Sequence, residues 1–275
     1  MIAATRAERT WSVVILLVFA AATVLPILGI VLLSLQPEQA QLSGFAWPDR
    51  LDFGNYARAF EVAHFGSYLK SSLVVSIAVA AGTVVVSTLA GYAFGTMRFG
   101  GENFLFYLLL TGLVIPFEAV IVPLYVELQA ARLTNSYASV ILPLVGVNAA
   151  FGTFWMRAYF RAVPRELIEA ASLDGARSLR ILWKVLLPGA RPALLTLVVL
   201  AFMWSWNEFL LPLVMLSRED LRTAPLGLAF FAGRYTTDRV GMAAAAVMVA
   251  LPVVALFVAT HRRFVHGMWA GALKQ

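Results

Sequence analysis

Long runs of residues without a charged side chain constrain the fold of this chain more than any other feature of its sequence. Four such runs extend for 28, 27, 24 and 21 residues: Thr10 to Pro37, Ser71 to Met97, Leu133 to Met156 and Val240 to Thr260. About 20 apolar residues are enough for a helix to cross the hydrocarbon core of a bilayer. Two further apolar runs are interrupted by glutamates, one by Glu118 and Glu127 and the other by Glu208. The sequence therefore predicts six transmembrane helices.

The composition excludes an ordinary soluble fold. Hydrophobic residues make up 61% of the 275-residue chain and charged residues only 13%, whereas soluble domains average about 25% charged residues. So small a charged fraction cannot cover a water-soluble surface, and it suits neither a disordered chain nor a typical nucleic-acid-binding protein. The chain contains no cysteine, which excludes disulfides and thiolate metal sites. We predict an all-α membrane protein with a single transmembrane domain over residues 1–275, without catalytic residues and without a metal site.

The distribution of basic residues predicts the orientation of the spans, which we place at residues 11–35, 70–96, 104–128, 137–158, 192–215 and 240–261. Of the 21 lysines and arginines, 13 lie in segments on the same side as the N-terminus and 8 on the other side. Because cytoplasmic loops are enriched in Lys and Arg, both termini are predicted to be cytoplasmic. Residues 36–68 and 217–239 are then external loops, and residues 161–190 form a cytoplasmic segment. A cleaved signal peptide in place of the first span is the alternative, but the apolar run is longer than such peptides use.

Segment 161–190 has the signals of two short helices. Pro164 suits a first helical turn, and Gly175 suits the left-handed position after a helix end. Ser178 is expected to cap a second helix that runs to Leu187, and Pro188 is expected to break it. An apolar stripe of Leu167, Ile168 and Ala171 on the first helix leaves two interpretations open: an interfacial helix on lipid headgroups, or a docking site for a soluble partner.

Several motifs resemble those of one transport family. Glu169-Ala170-Ala171-x-x-x-Gly175, followed by Val185-x-Leu187-Pro188, is similar to the EAA loop of ABC importer permeases, which has Ile where this chain has Val185. The motifs Leu133-Thr-Asn135-Ser-Tyr137 and Trp206-Asn207-Glu208-Phe209 resemble carbohydrate-type permeases. The whole set resembles the shorter six-span permease subunit of maltose-type sugar importers.

The resemblance implies a type I ABC importer permease fold with a cytoplasmic coupling helix, in the cell membrane. It also implies partners: a second homologous permease, two ATPase subunits that bind ATP and Mg, and an extracytoplasmic substrate-binding protein. No phosphate-binding G-x-x-x-x-G-K-[ST] motif occurs in this chain, so no cofactor is expected on it. The residues implied in ATPase docking are Glu169, Ala170, Ala171, Asp174, Gly175, Leu187 and Pro188.

Polar residues within the predicted spans are the second group of candidate site residues. A charge inside the bilayer is costly and normally faces protein or water. On continuous helices Glu118 and Glu208 would lie about 21 Å and 24 Å from the cytoplasmic ends of their spans, and Pro123 and Pro212 would kink those helices. The hypothesis is that five residues line the sugar path: Glu118, Asn207, Glu208, Trp204 and Trp206. The alternative is that they fix helix packing, or that they lie at the headgroup level as an aromatic belt with the glutamates near water.

Further expectations concern the binding protein and the solute. By resemblance, Arg234 and Tyr235 in the second external loop would contact the binding protein or its sugar. A permease for glycerol 3-phosphate or another small solute remains an alternative within the same class. In a different class, an ion-coupled secondary transporter would use Glu118 and Glu208 as proton sites. A membrane-embedded hydrolase is disfavoured, because no H-E-x-x-H or clustered Asp/His pattern occurs.

Overall fold

The computed structural model of the protein describes residues 6–37, 47–48, 50–62, 64–231 and 238–272, and its regular elements there are helices. In chain order the α-helices are α1 (Arg6–Ser34), α2 (Gly54–Val62), α3 (Phe65–Thr96), α4 (Glu102–Thr111), α5 (Phe117–Ala130), α6 (Ala138–Arg161), α7 (Arg165–Leu173), α8 (Ser178–Ile181), α9 (Leu187–Trp206), α10 (Leu210–Met215), α11 (Ala224–Gly227) and α12 (Arg239–Ala272). A π-helical turn over Leu182–Leu186 joins α8 to α9, and short 3₁₀ turns flank α11.

Five helical stretches in the described part of the chain are long and apolar enough to cross a bilayer. They are Glu8–Ser34, Phe65–Thr96, Ala138–Arg161, Ser178–Trp206 and Arg239–Thr260. The protein is therefore a multi-pass membrane protein, as the charge-free runs predicted.

The third predicted span, 104–128, consists of two helices and not one. The α4 helix ends at Thr111, and α5 begins at Phe117 after five non-helical residues. Pro116 immediately precedes α5 with an extended ψ of 117°. Because proline has no N–H to donate and disfavours the helical conformation in the residue before it, the helix is interrupted there.

The fifth predicted span begins earlier than expected, at Ser178, and is not broken at Pro188. Leu187 N–H donates to the carbonyl of Leu182, which makes the preceding turn a π turn. A π turn shifts the hydrogen-bond ladder by one residue, and here the shift lies directly before the proline. The predicted helix break at Pro188 is therefore wrong, because the shifted backbone hydrogen bonds already accommodate the proline ring. Arg177, and not Ser178, occupies the N-cap position of this helix.

The chain divides into two compact units. Residues 1–66 and 227–251 form the first, and residues 67–226 and 252–275 form the second. In the first unit the side chain of Asn55 in α2 donates to the carbonyls of Ser34 at 2.9 Å and Gln36 at 2.8 Å. These bonds fix α2 to the C-terminal end of α1.

In the second unit α3 and α6 run parallel and in close contact. Small residues allow such contact between membrane helices. A methyl group on Gly82 would lie 2.8 Å from a Val145 methyl carbon, and one on Gly91 would lie 2.9 Å from the Arg157 backbone nitrogen. The paired positions ascend together along both helices, which establishes the parallel direction.

Two apolar clusters lie in the second unit, and each contains residues of both α3 and α6. The Tyr92 cluster comprises Tyr92, Met156, Phe160, Ile181, Leu182, Leu186, Ala190, Ala193 and Leu197. The Val79 cluster comprises Val75, Val79, Ile121, Val140, Leu144, Leu211, Met215 and Leu216. Along α3, Val79 and Tyr92 are about 20 Å apart at 1.5 Å per residue. The two parallel helices therefore connect the clusters.

Candidate functional site

The α7 helix lies on the Tyr92 cluster by one face only. Ile168 and Ala171 pack against that cluster, whereas all nine residues of α7, each of them described, are exposed or half-buried. Leu167 was expected on the packed face, but it is exposed. Leu173, at the end of the helix, is 89% exposed. The described part of the chain therefore leaves this side chain uncovered.

The end of α7 is a complete Schellman motif, which confirms the expected left-handed glycine. Gly175 has φ 78°. Its N–H donates to Ser172 O at 3.0 Å, and the N–H of Ala176 donates to Ala171 O at 3.0 Å, which are the two bonds that define the motif. The motif thus orders the turn at which α7 leads into the second helix.

A tyrosine of α3 is hydrogen-bonded to the chain just after this turn. The Tyr92 hydroxyl donates to the carbonyl of Ser178 at 3.1 Å, and its ring packs edge-on against Phe160 at 5.8 Å. Sequence reasoning missed Tyr92, because no local pattern distinguishes it from any other apolar residue of its span.

The residues implied in docking fall into two groups by their exposure. Ala171 and Leu187 are half-buried against the Tyr92 cluster. The other five are exposed: Glu169, Ala170, Asp174, Gly175 and Pro188. The first group anchors the segment, and the second provides a surface.

Asn207 and Glu208 lie in a break between α9 and α10, where they satisfy backbone groups. The Asn207 side chain donates to Met203 O at 2.8 Å, at the end of α9. One carboxylate oxygen of Glu208 accepts the N–H of Leu211 at 3.0 Å, at the start of α10. Helix ends in a bilayer need such partners. Pro212 is the third residue of α10, where no intrahelical N–H bond is required, so the break precedes the proline expected to cause it.

Glu118 has a similar place at the start of α5. It is exposed and lies in the first turn, where a carboxylate is favoured by the helix dipole. The predicted depth of Glu118, about 21 Å from the cytoplasmic end of its span, assumed one continuous helix and therefore does not apply. Ile121 and Leu211, each three residues after its glutamate, belong to the same Val79 cluster. The two glutamates thus begin neighbouring helices.

The two tryptophans of the predicted sugar path differ in exposure. Trp206 is 1% exposed and stacks on Phe202 at 5.6 Å, so it presents no face to a ligand in this conformation. Trp204 is 44% exposed and meets Phe151 edge-on at 5.1 Å. Arg234 and Tyr235 lie outside the described residues, and their contact with a binding protein stays a prediction.

Comparison with known proteins places the chain in a family. Residues 84–269 match the model of the binding-protein-dependent transport system inner membrane component. The arabinooligosaccharides transport system permease protein AraQ of Halalkalibacterium halodurans is 34% identical over 256 residues, which are 91% of each chain. The trehalose transport system permease protein SugB of Mycobacterium tuberculosis is 30% identical over 98% of each chain. The diacetylchitobiose uptake system permease protein NgcG of Streptomyces coelicolor is 29% identical over 99% of this chain and 92% of that protein.

A solved structure supports the fold. In the crystal structure of a bacterial ABC transporter involved in the import of the acidic polysaccharide alginate, one chain superposes with a TM-score of 0.80 at 23% identity, over 95% of this chain and 99% of that one. The predicted all-α, type I importer permease fold is therefore confirmed. From its matching segment and its relatives, this chain belongs to the family of binding-protein-dependent transport system inner membrane components.

Proposed function

We propose that this chain is the membrane-spanning subunit of an ATP-driven ABC importer for a sugar or sugar derivative. Three relatives are named for arabinooligosaccharides, trehalose and diacetylchitobiose, which supports a carbohydrate as the solute. The observation that carries the proposal is α7, a short helix anchored by Ile168 and Ala171 while Leu173 projects from it. Because α7 packs against the protein by one face only, its other face is available to a partner chain.

The proposed partners supply what this chain lacks. A second homologous permease would complete the solute path, two ATPase subunits would bind ATP and Mg, and an extracytoplasmic binding protein would deliver the solute. Both termini and α7 would lie on the cytoplasmic side, in accord with the excess of basic residues there. The exposed residues Glu169, Ala170, Asp174, Gly175 and Pro188 would face the ATPase.

Coupling would run from α7 through the Tyr92 cluster to α3 and α6. Closure of the ATPases on ATP displaces α7, and Ile168 and Ala171 pass that displacement to the cluster. Because α3 and α6 are in backbone contact at Gly91, they move as one body. The transporter then changes between inward-open and outward-open states, and ATP must be bound more strongly in one of them for coupling to occur.

The solute path would run beside the breaks that begin α5 and α10. Glu118, Asn207 and Glu208 offer carboxylate and amide oxygens that accept hydroxyl protons of a sugar, and Trp204 offers an exposed ring face. Trp206 supports this region from the interior. Capping by Asn207 and Glu208 is compatible with this role, since capping also fixes where their remaining polar atoms lie.

Docking is tested by pull-down from mild detergent with the ATPase chain of the same transport system. Burying a leucine side chain contributes about 1.5–3 kcal/mol, so Leu173→Ser should weaken retention of the ATPase about 10- to 100-fold. Leu51→Ser removes a half-exposed leucine from the other compact unit and should retain it. If the wild-type protein retains no ATPase, the proposed function is wrong.

The solute is tested by uptake into proteoliposomes that contain the complete transporter. Arabinooligosaccharides, trehalose and diacetylchitobiose are compared with glycerol 3-phosphate. ATP-dependent uptake of a carbohydrate supports the proposal. Uptake of glycerol 3-phosphate alone would favour the alternative solute, and uptake by this chain alone under a proton gradient would favour a secondary transporter.

A further inference from the structure

The segment after α10 is fixed by an asparagine from a distant loop. Asn135, between α5 and α6, has φ 56°, and its N–H donates to Met215 O at 3.0 Å. Its side-chain oxygen accepts the N–H of Ser217 at 2.6 Å and that of Arg218 at 3.2 Å. One side chain therefore orders two consecutive peptide groups that lie 82 and 83 residues further along the chain.

The first turns of α3 hold the rest of the same segment. The Tyr68 hydroxyl donates to a Glu219 carboxylate oxygen at 3.1 Å. The N–H of Ala224 donates to the Ser72 hydroxyl at 2.8 Å, and Ser72 is buried. Residues 217–224 are thus tied to the protein at both ends, and we call them the clamped loop.

A second contact joins the two elements that hold the clamped loop. The hydroxyls of Ser71 and Tyr137 lie 2.9 Å apart. Tyr137 follows Asn135 by two residues, so this bond fixes the α5–α6 connection to the start of α3. The two elements that hold the clamped loop, α3 and the α5–α6 connection, are therefore hydrogen-bonded to each other.

The clamped loop presents a polar edge outward. Arg218 and Asp220 form an ion pair at 2.7 Å, and their side chains are 62% and 60% exposed. Exposed pairs contribute little to stability. Their positions are nevertheless defined, because the backbone that carries them is held by Asn135 and by the Ser71 hydroxyl, which donates to Asp220 O at 3.4 Å. A pre-ordered polar edge lowers the cost of binding a soluble protein, since less conformational freedom is lost on association.

We propose that Asn135 is a positioning residue, which holds residues 217–220 as a docking edge for the extracytoplasmic binding protein. The inference rests on the proposed function, which requires an extracytoplasmic binding protein. The charge distribution that places α7 in the cytoplasm places the clamped loop on the opposite side of the membrane, where that protein would dock. The partner is a soluble protein with a polar, charged contact surface that pairs with Arg218 and Asp220.

Two substitutions distinguish the effect of the Asn135 side chain from that of its left-handed backbone conformation. Glycine adopts a positive φ without strain, so Asn135→Gly keeps the turn and removes the acceptor. Asn135→Asp keeps an acceptor oxygen and also tolerates the left-handed conformation. The aspartate variant is therefore the matched control.

The first measurement is hydrogen exchange of the Ser217 and Arg218 amides in the full-length chain in detergent. Exchange should be about 10-fold faster in Asn135→Gly than in wild type and close to wild type in Asn135→Asp. Unchanged exchange in the glycine variant would show that Asn135 does not hold the loop. This measurement needs no binding protein, so it tests the clamp even if the proposed function is wrong.

The second measurement is the concentration of solute-loaded binding protein, from the same transport system, that half-maximally stimulates ATP hydrolysis. Loss of two bonds to an ordered loop should raise it about 3- to 10-fold in Asn135→Gly, and Asn135→Asp should restore it. Faster exchange with an unchanged half-saturating concentration would reduce Asn135 to a purely structural role and overturn the proposal. A wild-type transporter that no binding protein stimulates would contradict the proposed function itself.

Discussion

Substitution of Gly175 by alanine tests whether the geometry of the α7 end matters for docking. With φ 78°, this glycine lies in the left-handed region, and no atom outside its immediate neighbours lies within 4 Å of where a Cβ would be. The cost of alanine is therefore conformational and not steric, about 1–2 kcal/mol for a left-handed L-residue. If that cost falls wholly on the docking-competent turn, the affinity for the ATPase falls about 5- to 30-fold.

The chain contains a matched control for this strain. Gly101, before α4, has φ 80° and equally open surroundings, so Gly101→Ala introduces the same strain away from α7. Asparagine tolerates the left-handed region better than alanine does, and Gly175→Asn should lose less affinity. The assay is the dissociation constant between detergent-solubilised permease and its ATPase. Equal losses in Gly175→Ala and Gly101→Ala would refute the argument.

Three further substitutions test the rest of the account. Gly91→Ala should lower the stability measured by thermal unfolding in detergent by about 1–3 kcal/mol through overpacking. Gly146→Ala, at a helical position with open surroundings, should not lower it, because alanine favours a helix more than glycine does. Glu208→Ala should cost about 0.5–2 kcal/mol through loss of a helix cap, and Glu208→Gln should recover most of it. Tyr92→Phe should cost about 0.5–1.5 kcal/mol through loss of its bond to Ser178.

Each of these results has a contrary outcome. A Gly91→Ala variant as stable as Gly146→Ala would show that α3 and α6 are not in tight contact. A Glu208→Gln variant as unstable as Glu208→Ala would mean that the charge, and not the acceptor, is what matters. Stability and ATPase retention both unchanged in Tyr92→Phe would remove the link between α3 and the turn after α7.

Local signals allowed part of this structure to be predicted. The positive φ of Gly175 was predictable, because a glycine directly after a helix commonly occupies the left-handed C′ position. The long apolar runs were sufficient to identify membrane spans, because the requirement of the bilayer is one of length and polarity. The first helix of segment 161–190 was recognisable from local signals as well, since Pro164 before it and Gly175 after it act within one turn.

The remaining features depend on contacts between distant residues. Tyr92 bonds a carbonyl 86 residues away and Asn135 bonds an amide 82 residues away, and neither contact leaves a periodic trace in the sequence. The break at Asn207 and Glu208 was hidden because the run around it is apolar. At Pro188 the sequence suggested a helix end, but a π turn kept the helix continuous.

ATP-dependent accumulation of carbohydrate in proteoliposomes is the decisive test of the proposal that this chain is part of an ATP-driven carbohydrate importer. The vesicles contain this chain, its partner permease and the two ATPase subunits, with the binding protein outside. If the proposal holds, a radiolabelled carbohydrate accumulates only when ATP and the binding protein are both present, and Leu173→Ser abolishes most of the accumulation while Leu51→Ser does not. Accumulation driven by a proton gradient without ATP, or undiminished in Leu173→Ser, would contradict it.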